Sequence, residues 1–307
     1  MKKIANYDTV NYDYSTYWKG REYEHQAELL VLNKMLKGES GEWFLDIGGS
    51  FGRLLPTYYK KYSHPVIVDY SLKTLQKEYL RIKKKYPEVE MLAANAYSLP
   101  FKENSFDACM MVRVLHHINS PKSLIKEVHR ILHNGSLYFQ EFANKAHIKA
   151  VIRSLAHLDF SVFDRSPYQQ PKKGYNEGAR KDVKIPFINY HTKYITKIIS
   201  SSNFSISKKY GCSFLRLDIL KRIFSTNILL SIENFLQNTV SFLNLSPSIF
   251  LKSFATKKSK VNQAASLEEL LVCPKCKGSL IISNNSAECK DCNLEFSKKK
   301  NIWDFRI

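Results

Sequence analysis

Two motifs at the ends of apolar runs could hold a nucleotide-like ligand. The run 42–47 contains Asp46 near its end and leads into a glycine-rich turn, which is typical of a buried strand followed by a helix. Glycines allow the backbone to turn tightly and to approach a ligand closely. The next apolar run, 65–68, is followed by Asp69, and an acid at that strand tip can accept both hydroxyls of a ribose. The turn residues in question are Gly48, Gly49, Ser50 and Gly52.

The order of apolar runs along the chain predicts an α/β fold. Further strand-like runs occupy 89–96, 105–112 and 135–142, and 71–84 and 120–132 have helical spacing between them. Alternation of strands and helices predicts a mostly parallel sheet with helices on both faces. Ligands of such sheets bind beyond the carboxyl ends of the strands, where the two acids lie.

The dinucleotide fingerprint G-x-G-x-x-G is absent, because counting from Gly48 places Ser50 and Arg53 at the second and third glycine positions. The chain has instead the two acids, Asn95-Ala96, and Leu-Pro-Phe, Ser-Phe-Asp and Val-Leu-His-His stretches at regular spacing. This set resembles the class I S-adenosylmethionine (SAM)-dependent methyltransferases over about residues 42–142. The resemblance implies a Rossmann-like, seven-stranded, mostly parallel sheet, with 203–209 and 248–253 as candidates for the last two strands.

The resemblance also implies roles for the residues around the glycine turn. Asp46 would hold the methionine amino group of SAM directly or through water. Asp69 would accept hydrogen bonds from the ribose hydroxyls. The family usually has glycine where Ser50 stands, so the affinity for SAM depends on how this turn accommodates a side chain. The residues that would line the cofactor with backbone are Gly48, Gly49, Ser50 and Gly52.

Four more positions are implied at the cofactor by the same resemblance. Tyr70 would lie beside the adenine ring, Asn95 would meet the adenine amino group, and Ala96 would offer its backbone N–H to the ring. The family usually has aspartate at Asn95, and asparagine keeps the side-chain acceptor. Arg113 would offer its backbone carbonyl to the methionine end, with its side chain facing outwards.

An aromatic stretch, 12–24, precedes a helix predicted from about residue 23 to 37. In related enzymes an N-terminal helix closes over the cofactor, so residues in this stretch are lid candidates, with a cation–π role near the sulfonium; packing in the core is the alternative. The lid candidates are Tyr14, Tyr17, Trp18 and Arg21.

Methyl transfer by in-line displacement requires mainly orientation of the reactants, and no dedicated nucleophile. His116 and His117 follow the fourth strand at the crevice. One interpretation is that one of them serves as a general base. The alternative is that one caps the next loop and the other packs in the core. The chain lacks an Asn-Pro-Pro-Tyr stretch and a Pro-Cys pair after the fourth strand, which argues against exocyclic amino methylation and cytosine C5 methylation. Cys109 is expected to be a core residue of that strand.

A second motif consists of two C-x-x-C pairs separated by 12 residues. Such knuckles place four thiolates around a tetrahedral ion, and one structural zinc is the expected metal. The flanking sequences resemble the small zinc-ribbon protein that partners and activates tRNA, rRNA and release-factor methyltransferases. We therefore predict a methyltransferase domain over 1–258, a linker over 259–266 and a four-cysteine zinc ribbon over 267–307. The expected zinc ligands are Cys273, Cys276, Cys289 and Cys292.

The net charge of +19 is concentrated in the middle of the chain, since residues 143–265 carry 20 basic and 6 acidic side chains. An insertion at about 143–185 interleaves basic and aromatic residues, which favours RNA as a partner; solvated surface lysines are the alternative. Residues 214–245 are mostly apolar and predicted helical. They could contact a membrane surface or line a pocket, and packing against the sheet is the preferred interpretation.

Three functional hypotheses follow. The first is a SAM-dependent methyltransferase acting on RNA or a translation-related protein. The second is a methyltransferase acting on a small or lipid-like molecule, and the third is a non-catalytic SAM-binding scaffold. The chain has no apolar run long enough to span a membrane, its N-terminus lacks a signal-peptide pattern, and its cysteines fit a metal site better than disulfides. A cytoplasmic location is therefore expected.

Overall fold

The computed structural model describes residue 8 and residues 17–169 and 187–307 of the chain. The first five strands run parallel, and their carboxyl ends meet at one edge of the sheet. They are β1 (Gly41–Ile47), β2 (Tyr62–Asp69), β3 (Glu90–Ala93), β4 (Phe106–Met111) and β5 (Leu132–Ala143). In space their order is β3-β2-β1-β4-β5, so the chain crosses back over β1 after β3.

Two further long strands complete this part of the sheet. The next strands are β6 (Tyr168–Gln169), β7 (Ile188–Asn189), β8 (Phe204–Cys212) and β9 (Ser248–Ala255). The last of these, β9, lies antiparallel between β5 and β8, while β6 and β7 form a separate short pair. The predicted Rossmann-like, seven-stranded, mostly parallel sheet is therefore confirmed.

Helices cover both faces of the sheet, and their local sequence explains their position. Ser71 caps one helix by accepting the Thr74 backbone N–H, and helix 121–131 buries Leu124, Val128 and Ile131 on one side. The helices are α1 (Glu22–Met35), α2 (Leu55–Tyr58), α3 (Leu72–Lys85), α4 (Pro121–Ile131), α5 (Ile148–Ala156), α6 (Thr192–Ser201), α7 (Asp218–Ile223), α8 (Thr226–Thr239) and α9 (Leu267–Leu270).

The C-terminal module continues the main sheet instead of standing apart from it. Its strands are β10 (Leu280–Ile282), β11 (Ser286–Cys289), β12 (Leu294–Lys299) and β13 (Ile302–Asp304). They form an antiparallel ribbon whose last strand, β13, pairs in parallel with β3. The stretch Ile302-Trp303-Asp304-Phe305 thus forms the junction. The domain boundaries at 258 and 267 stay predictions.

The apolar segment 214–245, for which core packing was the preferred interpretation, packs into the core only in part: Leu229 is buried, and Leu215, Leu220 and Leu230 pack partly buried against the core. Helices α7 and α8 turn several large apolar side chains outwards, because α7 has no buried residue and the inner side of α8 carries a buried Glu233 and Gln237. Within the described ranges, no helix is both long enough and apolar enough to cross a bilayer. Residues 170–185 of the predicted insertion and Tyr14 of the predicted lid lie outside the described residues.

Trp303 is only 2% exposed and lies opposite Leu92 in the pairing of β13 with β3. We therefore expect a substitution of Trp303 to destabilise the protein strongly. Trp303→Ala should lower the free energy of unfolding by about 3–5 kcal/mol, because it leaves a cavity where the ribbon joins the sheet. Chemical denaturation measures this loss. The matched control is Ile281→Ala on half-exposed β10, which should change stability by less than about 1 kcal/mol. Equal losses for the two variants would contradict the junction.

Candidate active site

A cavity opens at the carboxyl ends of β1, β2 and β4, and it brings most of the predicted cofactor residues together. Asp46 lies near the end of β1 and Asp69 ends β2, and the two strands pair directly. Because β1 and β2 are parallel neighbours, their carboxyl ends lie at the same edge of the sheet, and so do the two acids. Residues from the sequence-based set that line the cavity are Asp46, Gly48, Gly49, Ser50, Asp69, Tyr70, Asn95, Ala96, Arg113 and His117.

The turn after β1 depends on glycine at one position in particular. Gly48 has a φ of +72°, and a Cβ there would lie 2.2 Å from Val114 Cγ2. Ser50 also adopts the left-handed region, with a φ of 47°, and its backbone N–H donates to Asp69 Oδ2 at 3.1 Å. The strained serine thus aims its N–H at the second acid. Gly52 is not among the lining residues; it packs against Leu55, so its predicted contact with a cofactor stays a prediction.

Asp46 is a buried acid at the bottom of the cavity, with an exposure of 2%. The hydroxyl of Tyr58 donates to its Oδ2 at 2.9 Å. Burial raises the pKa of the Asp46 carboxyl to about 7, and the hydrogen bond from Tyr58 only partly offsets that rise. A carboxylate held in this way gains strongly from a cationic ligand, because the ligand's charge compensates the lost hydration.

Asp69 is the second acid, and backbone groups orient it. Its Oδ1 accepts the Ser71 N–H at 2.8 Å, which leaves the carboxylate facing the cavity at the start of α3. Burial raises the pKa of Asp69 to about 6 in spite of the hydrogen bonds from the Ser71 and Ser50 backbone. At neutral pH this group is therefore ionised and acts as an acceptor, as recognition of a diol requires.

The adenine side predicted from the sequence is formed by the turn after β3. Asn95 Oδ1 accepts the Tyr97 N–H at 3.0 Å, an Asx turn that fixes the loop and leaves the second lone pair of this oxygen for a ligand. Ala96 lines the cavity beside it, and Tyr70 lies across from both, with Arg306 donating to the Tyr70 carbonyl at 3.2 Å.

The predicted outward orientation of the Arg113 side chain is wrong. Arg113 has a φ of +59° at the end of β4, its N–H donates to Glu141 Oε2 at 2.8 Å, and its guanidinium turns inwards onto Glu28 of α1 at 2.6 Å. Glu28 also binds Arg53 at 2.6 Å. Burial opposes ionisation of Glu28, but the two guanidinium groups hold its pKa below the ordinary value.

The N-terminal aromatic residues lie over these two arginines. The guanidinium carbon of Arg53 is 3.7 Å from the centre of the Trp18 ring, and that of Arg113 is 4.9 Å from it. Tyr17 accepts a 3.5 Å hydrogen bond from Arg113. Tyr17 is not among the cavity-lining residues, so its predicted contact with the cofactor stays a prediction. Its position beside Arg113 is consistent with a cover over the Arg113 end of the cavity.

The two histidines after β4 have different surroundings. His117 lines the cavity, whereas His116 is buried and its ring lies 4.3 Å from that of Phe187. Burial, together with the neighbouring His117 and Arg113, lowers the pKa of His116 well below its ordinary value. His116 is therefore a packed residue, and His117 is the one of the two histidines that lines the cavity.

The four cysteines of the ribbon converge as predicted. Their Sγ atoms all lie within 4.8 Å of one another, with pairs at 3.4 Å and 3.7 Å. A tetrahedral ion with Zn–S bonds of about 2.3 Å requires S···S separations of about 3.8 Å, whereas a disulfide requires about 2.05 Å. The donor set therefore fits a thiolate-bound metal.

The first cysteine knuckle contacts the loop that follows Asn95 and Ala96 in the cavity wall. Lys277, next to Cys276, donates to the Leu99 carbonyl at 3.0 Å and to Glu127 at 3.0 Å. Ser98 donates to the carbonyl of Pro274 between the first two cysteines. The ribbon thereby supports the loop that follows Asn95 and Ala96.

The family of methyltransferase domains matches residues 45–139, which contain the end of β1, all of β2 to β4, most of β5 and every cavity residue named above as lining it. This chain contains a methyltransferase domain. An uncharacterised protein of Methanocaldococcus jannaschii is 26% identical to it over 77% of this chain and 86% of its own length. A demethylmenaquinone methyltransferase of Chlamydia felis is 28% identical over 59% of this chain and 80% of its own length.

Two solved structures show the same methyltransferase fold. One is the complex between the Haloferax volcanii Trm112 methyltransferase activator and a methyltransferase, with a TM-score of 0.53, 14% identity, and coverage of 80% of this chain and 96% of that one. The other, a SAM-dependent methyltransferase from Listeria monocytogenes, has a TM-score of 0.53 and 13% identity, and covers 76% of this chain and 99% of that one.

Sequence reasoning on the methyltransferase domain missed Glu28 and Tyr58. Glu28 follows Glu24 by four residues on α1, a spacing that is also typical of a solvated helix face, and both turn out to be buried. Tyr58 lies in the short helix α2, where no pattern distinguishes a core tyrosine from one that holds a catalytic-site acid. The sequence feature that could have indicated burial of Glu28 is its position among apolar residues on α1, the helix that follows the aromatic stretch.

The raised pKa of Asp46 predicts how stability depends on pH. An acid with a raised folded-state pKa contributes stability below its unfolded pKa near 4 and loses it as the pH rises through about 7. Asp46→Asn should therefore gain stability over the wild type, by about 2 kcal/mol more at pH 8 than at pH 5. Urea denaturation of the ligand-free protein at both pH values measures this.

The matched control is Asp107→Asn, because the pKa of Asp107 is lowered. Burial opposes its ionisation, but hydrogen bonds from His133 and from the backbone of Trp43 and Glu42 outweigh that effect. This variant should lose stability at pH 8. A pH-independent difference for Asp46→Asn would contradict the burial argument.

Proposed function

We propose that this protein binds SAM across the cavity and transfers its methyl group to an apolar, lipid-like acceptor. The observation that carries the cofactor assignment is the pair of acids at neighbouring strand ends, Asp46 and Asp69, with a glycine turn between them in one cavity. Asp46 would bind the cationic methionine end and Asp69 the ribose. Tyr70, Asn95 and Ala96 would contact the adenine.

The residues present fit this ligand. Asp46 lies at the buried end with a pKa raised to about 7 by burial, which suits a group that gains a cation as partner. The bare backbone at Gly48 and Gly49 leaves room for close approach. When bound, SAM supplies an activated methyl group, and the contribution of the protein is orientation of the acceptor in line with it.

His117 is the proposed general base, since it lines the cavity beside Ile118, while His116 is held neutral in the packing. The carbonyl of Arg113 remains the proposed contact to the methionine end. The ion pair with Glu28 fixes Arg113 as a positioning group, and Trp18 shields both cavity arginines from solvent.

Two observations support an apolar acceptor. Among the relatives are demethylmenaquinone methyltransferases, and the name of those proteins gives demethylmenaquinone as their acceptor. The ends of β5 and β8, which lie at the same edge of the sheet as the cavity, also lead into helices α5, α7 and α8, and these helices expose large apolar side chains. RNA, the other proposed acceptor, is supported by the net charge of +14 over 143–265.

We further propose that the four cysteines hold one zinc ion with a structural role. A module of about 40 residues buries too little apolar surface to fold on its own, so the metal would supply much of its folding free energy. The contacts of Lys277 and Pro274 with the 98–99 loop would then transmit this stability to the adenine side of the cavity.

Cofactor binding is tested by calorimetry with SAM and its demethylated product. Asp69→Asn should weaken binding at least about tenfold, because the amide offers one acceptor oxygen instead of two to the ribose diol. Wild-type affinity should fall as the pH drops below about 7, since Asp46 must be ionised to bind the cation. Asp107→Asn, remote from the cavity lining, is the control and should bind normally. Absence of heat with both compounds would refute the proposal.

The acceptor is tested with tritium-labelled SAM in a fractionated lysate. Label in the organic-solvent fraction that disappears with Asp69→Asn supports the apolar acceptor, whereas label in RNA or protein would contradict it. Binding of RNA that weakens steeply with salt would accompany the RNA alternative. No transferred label in any fraction, with SAM binding intact, would favour the non-catalytic scaffold.

The metal is tested by native mass spectrometry, which should find one zinc ion per chain. Cys273→Ser should lose the zinc and lower the thermal midpoint, because three thiolates hold the ion more weakly than four. Cys109→Ala is the matched control, since Cys109 is a buried free cysteine of β4 outside the cluster, and it should keep the zinc. An intact mass that shows two disulfides would exclude the metal site.

A further inference from the structure

Helix α5 exposes its apolar side chains to solvent, which is the reverse of the usual arrangement of a surface helix. Its buried residue is Ser154, whereas Ile148, Ile152 and Leu155 lie between 40% and 59% exposed. Spacings of four and three residues place these apolar side chains on one stripe, and this stripe faces solvent. The inversion cannot arise from core formation, because burying the stripe would be the favourable outcome.

The exposed apolar stripe continues beyond α5. The chain after it exposes Leu158, Phe160 and Phe163, and the first of these has a left-handed φ of 53°. The turn of residues 160–163 packs against α5. This stretch therefore forms a continuous projection with aliphatic and aromatic side chains on the outside.

Helix α8 has a similar arrangement, although it also buries Leu229, and α7 buries none of its residues. In α8, Glu233 and Gln237 are buried, while Ile228, Ile232 and Phe235 are exposed at spacings of four and three. The buried polar groups are satisfied, since Glu233 accepts the backbone N–H of Ser213 at 2.8 Å. The outward apolar residues of α7 and the following turn are Ile219, Ile223 and Phe224.

Topology places both apolar stretches at the edge of the sheet that bears the cavity. The segment with α5 leaves the carboxyl end of β5, and the segment with α7 and α8 joins the end of β8 to the start of β9. These three strand ends meet at Ser248, which pairs with Ala143 and with Cys212. The segments also touch, because the Ile148 N–H donates to the Leu245 carbonyl at 2.8 Å.

Basic side chains accompany the apolar ones. Lys149 and Arg153 lie on α5 between its exposed apolar residues, and Arg222 lies on α7 beside Ile223. Acids also lie in these elements: Asp159, Asp164 and Asp218 are exposed, and Asp218 pairs with Lys221. The basic residues on the described surface of the two segments are Lys149, Arg153, Arg165, Arg216, Lys221 and Arg222, twice the number of exposed acids.

We propose that these exposed residues of α5, the 158–163 turn, α7 and α8, which we call the apolar edge surface, dock the protein on an anionic lipid bilayer. Aliphatic and aromatic side chains with interleaved lysine and arginine match the boundary between acyl chains and negatively charged headgroups. This charge complementarity favours a bilayer over a second copy of the equally basic chain. The inference deepens the proposed function, since a docked cavity could receive an apolar acceptor directly from the bilayer.

The test is co-sedimentation of the full chain with vesicles of phosphatidylcholine containing phosphatidylglycerol. The double variant Ile152→Glu/Leu155→Glu should bind at least about tenfold more weakly, because it removes two apolar anchors and adds two negative charges. The matched control is Leu80→Glu, which places the same charge at an exposed apolar position of α3, away from this surface. Leu80→Glu should bind as the wild type does.

The contribution of the basic side chains is tested with the variants Lys149→Ser and Arg153→Ser. Each should weaken binding to the anionic vesicles about fivefold. Vesicles of phosphatidylcholine alone should bind much less protein than those with phosphatidylglycerol. Thermal unfolding and SAM calorimetry establish that the variants remain folded and that the cavity is intact. Vesicle binding by a protein that binds no SAM would support docking while the proposed function fails.

Three outcomes would overturn the docking proposal. The first is no binding to anionic vesicles at low salt. The second is equal binding by the wild type and the Ile152→Glu/Leu155→Glu variant. The third is a stable dimer, found by light scattering without lipid, that the same variant dissociates; this would assign the surface to a second copy of the chain.

Discussion

A single buried carboxylate joins the three parts of the protein that surround the cavity. Glu28 on α1 binds Arg53 in the segment after β1 and Arg113 after β4, each at 2.6 Å. A buried charge is tolerated only with such partners, and removal of one partner from a buried pair commonly costs about 3–5 kcal/mol. The arrangement therefore couples the N-terminal helix to both walls of the cavity, and Trp18 can cover the arginines only while Glu28 holds them.

The parts of the site that sequence patterns predicted are those fixed by local backbone requirements. Asp46, Gly48 and Asp69 stand at the ends of apolar strands, where parallel topology leaves little freedom. The orientation of the Arg113 side chain escaped prediction because its left-handed φ redirects that side chain, and the residue type does not indicate that conformation. Glu28 escaped because an acid on a helix has the same local pattern whether solvent or an arginine faces it.

At the scale of the fold, the first five strands followed from the alternation of apolar runs, since strand and helix periods differ, and the last two followed from the family resemblance. The packing of 214–245 did not follow, because apolar content alone does not determine which side of a helix faces inwards. In α8 the inner side is polar since Glu233 ties the turn after β8 to α1 through Ser213 and Tyr23. A specific hydrogen-bond network thus outweighs the general tendency to bury aliphatic residues.

The pairing of β13 with β3 has a consequence for how the chain folds. Trp303 and its partner Leu92 are separated by more than 200 positions, so one border of the sheet is completed only after nearly all intervening segments have been synthesised. Until then β3 offers unsatisfied backbone groups to any other extended chain. Nascent molecules are consequently most vulnerable to mispairing during this interval, and rapid loading of the cysteine cluster would shorten it.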